Sequence, residues 1–455
     1  MRYDACIIGA GADGLAAAAW LAARGLDTIV VERNVNPGGR CITREFHPGF
    51  WASPFADVLP EIPPSIFRAL DLARRGAVFA PCEAAAAGAV SSELLARLDA
   101  DAESPPRRRL FAGKHVLPPW PGEELAARSL ADFGVPAPLD ARLCDPSLTG
   151  SALTLLAAGT TGMPAGGLGR LGRALRSAAE EAGASISCGL EVSDIRLRRG
   201  KAVVAGLADG SEIAARAFIS TLDFKRTFLS LFTWNELPPA LVERVGAFRP
   251  APGTARLLVA LGSLPDDAVD ERWRAPLRVA EDGAAEAHRA WRAATVAPRP
   301  PATLRLVSAV DPFLAPQGGA TLTVTLGGIP HTPFDGAWTH DKRNKLRDAA
   351  LKIVEEVLPG ASARILAAEL IVPPDVENQL GLTQGDLIGG ELGATQMLGF
   401  RPFCGFGPEC CGTRTPVGGL YLAGPSSALG PLMTCASGVA AARAVLADMA
   451  AGRLK

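Results

Sequence analysis

Continuously apolar stretches alternate with helical stripes along the first part of this chain. Ala5 to Ile8 and Thr28 to Val31 are uninterrupted apolar runs, and between them lies an alanine-rich segment of helix length. Short unbroken apolar runs read as strands buried on both faces, so this order predicts a strand–helix–strand unit with parallel strands. Residues 64–75 carry apolar side chains at Ile66, Phe67, Leu70 and Leu72, predicting an amphipathic helix. Residues 44–60 read as a loop with Pro48-Gly49 and Ser53-Pro54 as turns. From 81 to 165 alanine, proline and leucine dominate, predicting helices and loops that form a cap.

A second periodic block begins at Leu168. Leu168, Leu171, Leu175 and Ala179 predict a helix over 168–182 closed by Gly183. Strands are predicted at 184–188, 190–197, 201–207 and 212–219, with Asp209-Gly210 as a hairpin turn. Alternation at 254–262 and 321–327 predicts strands of a separate sheet, with a long helix over 341–357 against it. A buried strand at 420–424 and a helix at 435–450 end the chain.

Glycines give the first unit its chemistry. Gly9, Gly11 and Gly14 sit at the strand-to-helix turn in the spacing G-x-G-x-x-G, and Glu32 ends the second strand 23 positions after Gly9, close to the roughly 20 expected of a dinucleotide-binding unit. The first glycine permits the turn, the second lets backbone approach a pyrophosphate, and the third allows helix and strand to pack closely. The helix N-terminus supplies N–H groups and positive dipole, and Glu32 can accept ribose hydroxyls. Gly38-Gly39-Arg40 follows at once, adding a second turn and a guanidinium suited to phosphate. That extension favours FAD over NAD, because an extended flavin dinucleotide needs support beyond one unit. Gly167, Gly169 and Gly172 repeat the spacing with Glu191 beyond them, but Pro164-Ala165-Gly166 stands where a buried strand should feed the turn, which argues against a second nucleotide site.

Composition narrows the alternatives. The 455 residues balance 46 Lys and Arg against 47 Asp and Glu, for a net charge of −1, which gives no reason to expect nucleic acid. No uninterrupted apolar run reaches the 18 or so residues of a membrane span. Nine scattered cysteines suit a reducing compartment, so the cytoplasm is expected, with a peripheral membrane contact kept open. Cys41 follows Gly-Gly-Arg, where a redox pair could sit, yet Phe46 occupies the position five residues on. Cys410 and Cys411 are adjacent and read as structural thiols. The five histidines show no ligand spacing, so no metal is expected.

The stretches VVERNVNPGGRCIT, PAGGLGRLGRALRSAAEEAGASISCGLEVSDI and RTPVGGLYLAGPSSALGPLMTCASGVAAARAVL resemble phytoene dehydrogenase-like flavoproteins of the FAD-dependent amine oxidase superfamily. PPDVENQLGLTQGDLIGGELGATQMLGFRPFCGFG is most similar to the branch of pyridine nucleotide-disulfide oxidoreductase domain proteins. The resemblance implies an α/β fold: a discontinuous Rossmann-type FAD-binding domain of glutathione-reductase/amine-oxidase type (1–80, 160–225 and 385–455), with an α+β, mixed-sheet substrate part and helical cap (81–159 and 226–384). It implies that Gly9, Gly11, Ala12, Asp13 and Gly14 surround the pyrophosphate, Glu32 and Arg33 the adenosine ribose, and Gly39 and Arg40 the ribityl-phosphate side. Val192 would meet adenine through its backbone, and Gly424, Leu432 and Met433 would approach the flavin.

The expected activity is an FAD-dependent oxidoreductase, a dehydrogenase, desaturase or oxidase that takes a hydride from a substrate C–H bond. The substrate is expected to be a small apolar molecule and the electron acceptor oxygen, a quinone or a protein. Trp51, Phe55, Glu391 and Arg401 are candidates for the substrate face. Amine oxidation is the nearest alternative, disfavoured by having only two tyrosines, Tyr3 and Tyr421, both in nucleotide-domain strands. A flavin-dependent isomerase and a non-catalytic binding protein of the same superfamily stay open.

Overall fold

The computed structural model describes residues 2–60, 62–82, 161–233, 235–265, 273, 277–280, 283–391, 396, 413–427 and 434–454. The expected cap over 81–159 lies outside these, apart from its first two residues, as do Arg401, Cys410, Cys411, Leu432 and Met433.

One sheet is assembled from three distant parts of the chain. Strands β1 (Arg2–Ile8) and β2 (Thr28–Glu32) pair in parallel around helix α1 (Ala12–Ala22). Two small sheets come from the chain's N-terminal half: β3 (Arg44–His47) with β4 (Phe50–Ala52), and β5 (Leu59–Pro60) and β6 (Phe79–Cys82) on either side of β7 (Thr161–Pro164). Strands β8 (Ser185–Cys188), β9 (Val192–Arg198), β10 (Lys201–Leu207) and β11 (Glu212–Ser220) then return to the first sheet. Its order is β8-β2-β1-β11-β10-β9, and β17 (Leu420–Leu422) joins the far half of β11. β8, β2, β1, β11 and β17 run parallel, while β9 and β10 form an antiparallel hairpin on β11.

Three helices cover one face. α1, α3 (Gly169–Glu181) and α9 (Ala436–Ala450) share a core with Ala5, Ile7, Val30 and Ile219. Every residue of α1 is buried, which explains its alanine: a larger side chain would hold the helices apart. Two glycines mark the closest approaches. A Cβ on Gly14 would stand 2.0 Å from the Gly9 carbonyl oxygen, and one on Gly438 would stand 1.9 Å from that of Asp13. The opposite face packs Phe218 against Phe224, Phe228 and Leu241 beneath α4 (Pro239–Ala247).

The second sheet has the order β13 (Leu277–Val279), β14 (Ala302–Leu306), β15 (Ala320–Gly327), β12 (Thr254–Leu261), β16 (Ile365–Ile371), and all its pairings are antiparallel. Helix α7 (His340–Val357) lays Leu346, Ala350, Ile353 and Val354 on it. Short helices α5 (Ala284–Arg292) and α6 (Val307–Val310) flank the sheet, and α8 (Pro373–Leu380) continues directly from β16.

Two sequence expectations change. Residues 44–60 contain a strand hairpin instead of a plain loop. The helix expected over 64–75 is α2 (Pro64–Ala69), followed by turns, because Asp71 takes a left-handed conformation with φ 47° that ends helical hydrogen bonding. The apolar side chains Ile66, Leu70 and Leu72 are nevertheless buried as their spacing requires.

Candidate cofactor cleft

The cleft begins where β1 hands over to α1. Gly9 has φ 99°, and a Cβ there would collide with Thr221 Oγ1 at 2.4 Å. Gly11 is the N-cap of α1 and provides no side-chain cap, so the first-turn N–H groups are available to an anion. The Glu32 carboxylate is 6% exposed. It accepts from Ala10 N at 2.7 Å on Oε2 and from Asn34 N at 2.9 Å on Oε1. A carboxylate has about four acceptor positions, so these two bonds fix its orientation and leave capacity for a pair of vicinal hydroxyls.

The second turn is built onto the first. Gly38 N donates to Ala10 O at 2.8 Å, Gly38 and Gly39 have φ 133° and 56°, and a Cβ on Gly39 would lie 3.0 Å from Gly11 Cα. Glycine is needed at both positions for conformation and for space, since a Cβ on Gly38 would lie 2.8 Å from the Cys41 carbonyl oxygen. Arg40 donates through Nη1 to Leu387 O. Burial pulls its guanidinium below the ordinary value, opposed by Cys41, Asp13 and Asp386. Cys41 itself is pushed up to about 11 by burial, so its thiol stays protonated near neutrality and is a poor nucleophile.

Gly9, Gly11, Ala12, Asp13, Glu32, Arg33, Gly39, Arg40, Val192 and Gly424 all line one cleft. Gly14 does not line it; its place is the contact between α1 and Gly9. The Asp13 carboxylate turns away from the cleft mouth toward α9, where it bonds Ser437 and accepts from Gly438 N at 3.3 Å. It thus caps a helix more than 400 residues later, with burial raising its pKa against the pull of Ser437 and Arg40. Sequence reasoning missed Thr221, Leu222, Arg226 and Leu380–Leu382, which complete the lining. Nothing in their residue types marks them; they arrive through β11 and α8.

The substrate-face candidates are scattered. Trp51 is 41% exposed on β4, and Phe55 is buried against Leu258, Ile371, Val376 and Leu382. Glu391 is 3% exposed at its side chain and held by Arg292 at 2.6 Å and Arg249 at 3.0 Å. None of the three lines the cleft.

The second glycine motif is filled by protein. Gly169 N donates to Thr43 Oγ1 at 2.8 Å and Leu168 N to Ser53 Oγ at 3.1 Å. A Cβ on Gly172 would stand 2.4 Å from the Cys41 carbonyl oxygen. The Cys41–Thr43 segment therefore occupies the place where a pyrophosphate would rest, and the glycines serve to let α3 settle on the first clamp.

The cleft suits FAD: its donors and glycines run from Glu32 past Arg40 to Gly424. Just before α9, Thr434 Oγ1 is buried and has no hydrogen-bond partner among the described residues, so a bound polar group can satisfy it. Among the described residues no cluster of three or more His, Cys, Asp or Glu is placed to hold a metal, and no helix is long and apolar enough to cross a membrane.

Residues 4–225 match the family described as FAD dependent oxidoreductase. Pyridine nucleotide-disulfide oxidoreductase domain-containing protein 2 of Mus musculus is 26% identical over 98% of this chain and 94% of its own length. Prolycopene isomerase of Daucus carota is 26% identical over 63% of this chain and 44% of its own. In fold, the chain is similar to cyclohexylamine oxidase from Brevibacterium oxydans, with a TM-score of 0.60 and 16% identity over 99% and 100% of the two chains.

Proposed function

We propose that this FAD-dependent oxidoreductase oxidises a C–H bond of an apolar small molecule and does not use its Gly167–Gly172 motif as a site for a nicotinamide donor. The observation that carries the reading is the filled second glycine motif, with Thr43 Oγ1 on Gly169 N at 2.8 Å and Ser53 Oγ on Leu168 N at 3.1 Å. Electrons therefore come from the substrate that the oxidoreductase binds. When bound, FAD supplies the hydride acceptor at N5.

The chain's own residues hold and orient the cofactor. Glu32 would hold the ribose, and the α1 N-terminus and Arg40 would meet the pyrophosphate charge. The name of the carrot relative, prolycopene isomerase, supports a hydrocarbon substrate class. It also favours a second reading, isomerisation with no net oxidation.

The test is anaerobic mixing of the holoprotein with isoprenoid hydrocarbons, acyl compounds and amines while flavin absorbance is followed. Bleaching by a hydrocarbon supports the reading. Bleaching by amines alone overturns the substrate class, and product rearrangement without bleaching selects the isomerase.

A further inference from the structure

The stretch PPDVENQLGLTQGDLIGG, residues 373–390, supplies Leu380–Leu382 to the cleft lining and meets the residues around the cleft at several further points. At the adenosine end Gly381 has φ 68°, and a Cβ there would sit 3.2 Å from Arg33 Cζ and 3.4 Å from Arg226 Cζ. In the middle Leu387 O receives the Arg40 Nη1 hydrogen bond. At the far end a Cβ on Gly389 would be 2.3 Å from the carbonyl carbon of Pro425, the neighbour of Gly424. Leu380, Gly381 and Leu382 line the cleft directly.

We infer that residues 373–390 are a strap that closes the FAD cleft and must open for the cofactor to load or leave. The inference rests on the cofactor reading above. Its support is the direction of the ties. Side chains of the N-terminal clamp donate to strap carbonyls: Arg33 to Asn378 O and, at 3.4 Å, to Glu377 O, and Asn34 Nδ2 to Gln379 O at 3.1 Å.

From β11, the buried Asp223 carboxylate accepts from Thr383 N at 2.8 Å and Thr383 Oγ1 at 3.0 Å, while also accepting from Arg226 N at 2.9 Å. Asp386 accepts from Gly389 N at 2.9 Å and Gly390 N at 2.6 Å within the strap, and from Ala251 N at 3.0 Å ahead of β12. These are bonds between charged or polar side chains and backbone, made at separate points along a segment with little regular structure after Leu380. Such ties can break together without unfolding either sheet. The strap also continues from β16 through α8, so its closure joins the cofactor clamp to the substrate-side sheet.

Thr383 is the point to test, because it bonds Asp223 without lining the cleft. FAD association and dissociation are followed by flavin fluorescence in the wild type, Thr383→Val and Gly389→Ala, and amide exchange of residues 377–390 is compared with and without FAD. A gating strap predicts that Thr383→Val raises the association and dissociation rates together, by roughly tenfold to a hundredfold for one lost bond to a carboxylate, and that strap amides slow on FAD binding. Faster dissociation with unchanged association, or strap amides indifferent to FAD, overturns the strap while leaving the cofactor assignment intact. Gly389→Ala tests the far end independently: unchanged FAD rates in a folded variant would also contradict closure there. A chain that binds no FAD at all fails the cofactor reading instead.

Discussion

Thr43 Oγ1 accepts the hydrogen bond of Gly169 N at 2.8 Å and stands 3.0 Å from Ser53 Oγ. One hydroxyl pair thereby closes the N-terminus of α3 and holds the loop after Arg40 against it. Replacing Thr43 with valine keeps the volume and removes the acceptor, which is expected to cost about 1–2 kcal/mol, the range of a lost helix cap. Urea denaturation of the FAD-loaded protein measures it. The variant should remain unreactive toward NADPH; flavin reduction by NADPH in Thr43→Val but not wild type would show that the hydroxyl hides a functional second site.

Glu32 is expected to govern cofactor retention. Its carboxylate accepts from Ala10 N and Asn34 N while facing the cleft. Glu32→Ala removes the ribose acceptor and leaves two N–H groups unpaired, each worth about 1–3 kcal/mol when buried. The flavin-to-protein ratio after gel filtration should fall at least about tenfold. Undiminished occupancy would remove Glu32 from the site.

The buried pair of Arg256 and Asp57 should dominate stability where the substrate-side sheet meets the N-terminal segment. Both side chains are 7% exposed, and Thr323 Oγ1 donates to the other Asp57 oxygen at 2.7 Å. Asp57→Ala strands a buried guanidinium and is expected to cost about 3–5 kcal/mol, most of it recovered when Arg256 is replaced by methionine as well. Chemical denaturation of the single and double variants reports both values.

Acid should loosen the last helix first. Burial disfavours the Asp448 charge, but hydrogen bonds from Arg414 and Tyr421, with the charge of Arg453, outweigh it and lower its pKa below the ordinary 3.8. A depressed carboxyl pKa contributes stability that is fully present above the unfolded value and is lost as pH falls through the lower folded value. Thermal unfolding measured from pH 6 downward should therefore show a stability loss below about pH 4 that Asp448→Asn flattens. An identical acid limb in the variant would assign that loss to other groups.

The first clamp could be read from sequence because its determinants are local. Gly9, Gly11, Gly14 and Glu32 lie within one strand–helix–strand unit, and each is required by backbone geometry that spacing encodes. Periodicity placed α3, the β9–β11 strands, α7 and α9 for the same reason. The remainder depends on distant partners. Glu391 reads as a free carboxylate until Arg292, 99 positions earlier, is folded onto it. The bond from Gly438 N to Asp13 depends on α9, which folding brings beside it from more than 400 positions on. The strap is hardest to foresee, since Arg33 and Arg40 bond its backbone carbonyls and any residue type presents one.

The proposed function requires that the Gly167–Gly172 motif bind no nucleotide and that electrons come from substrate. Its most direct test is anaerobic stopped-flow mixing of the FAD-loaded protein with micromolar NADPH. The flavin absorbance should stay unchanged over the time in which a true substrate bleaches it. Rapid bleaching by NADPH would contradict the account and return the Gly167–Gly172 motif to the list of nucleotide sites.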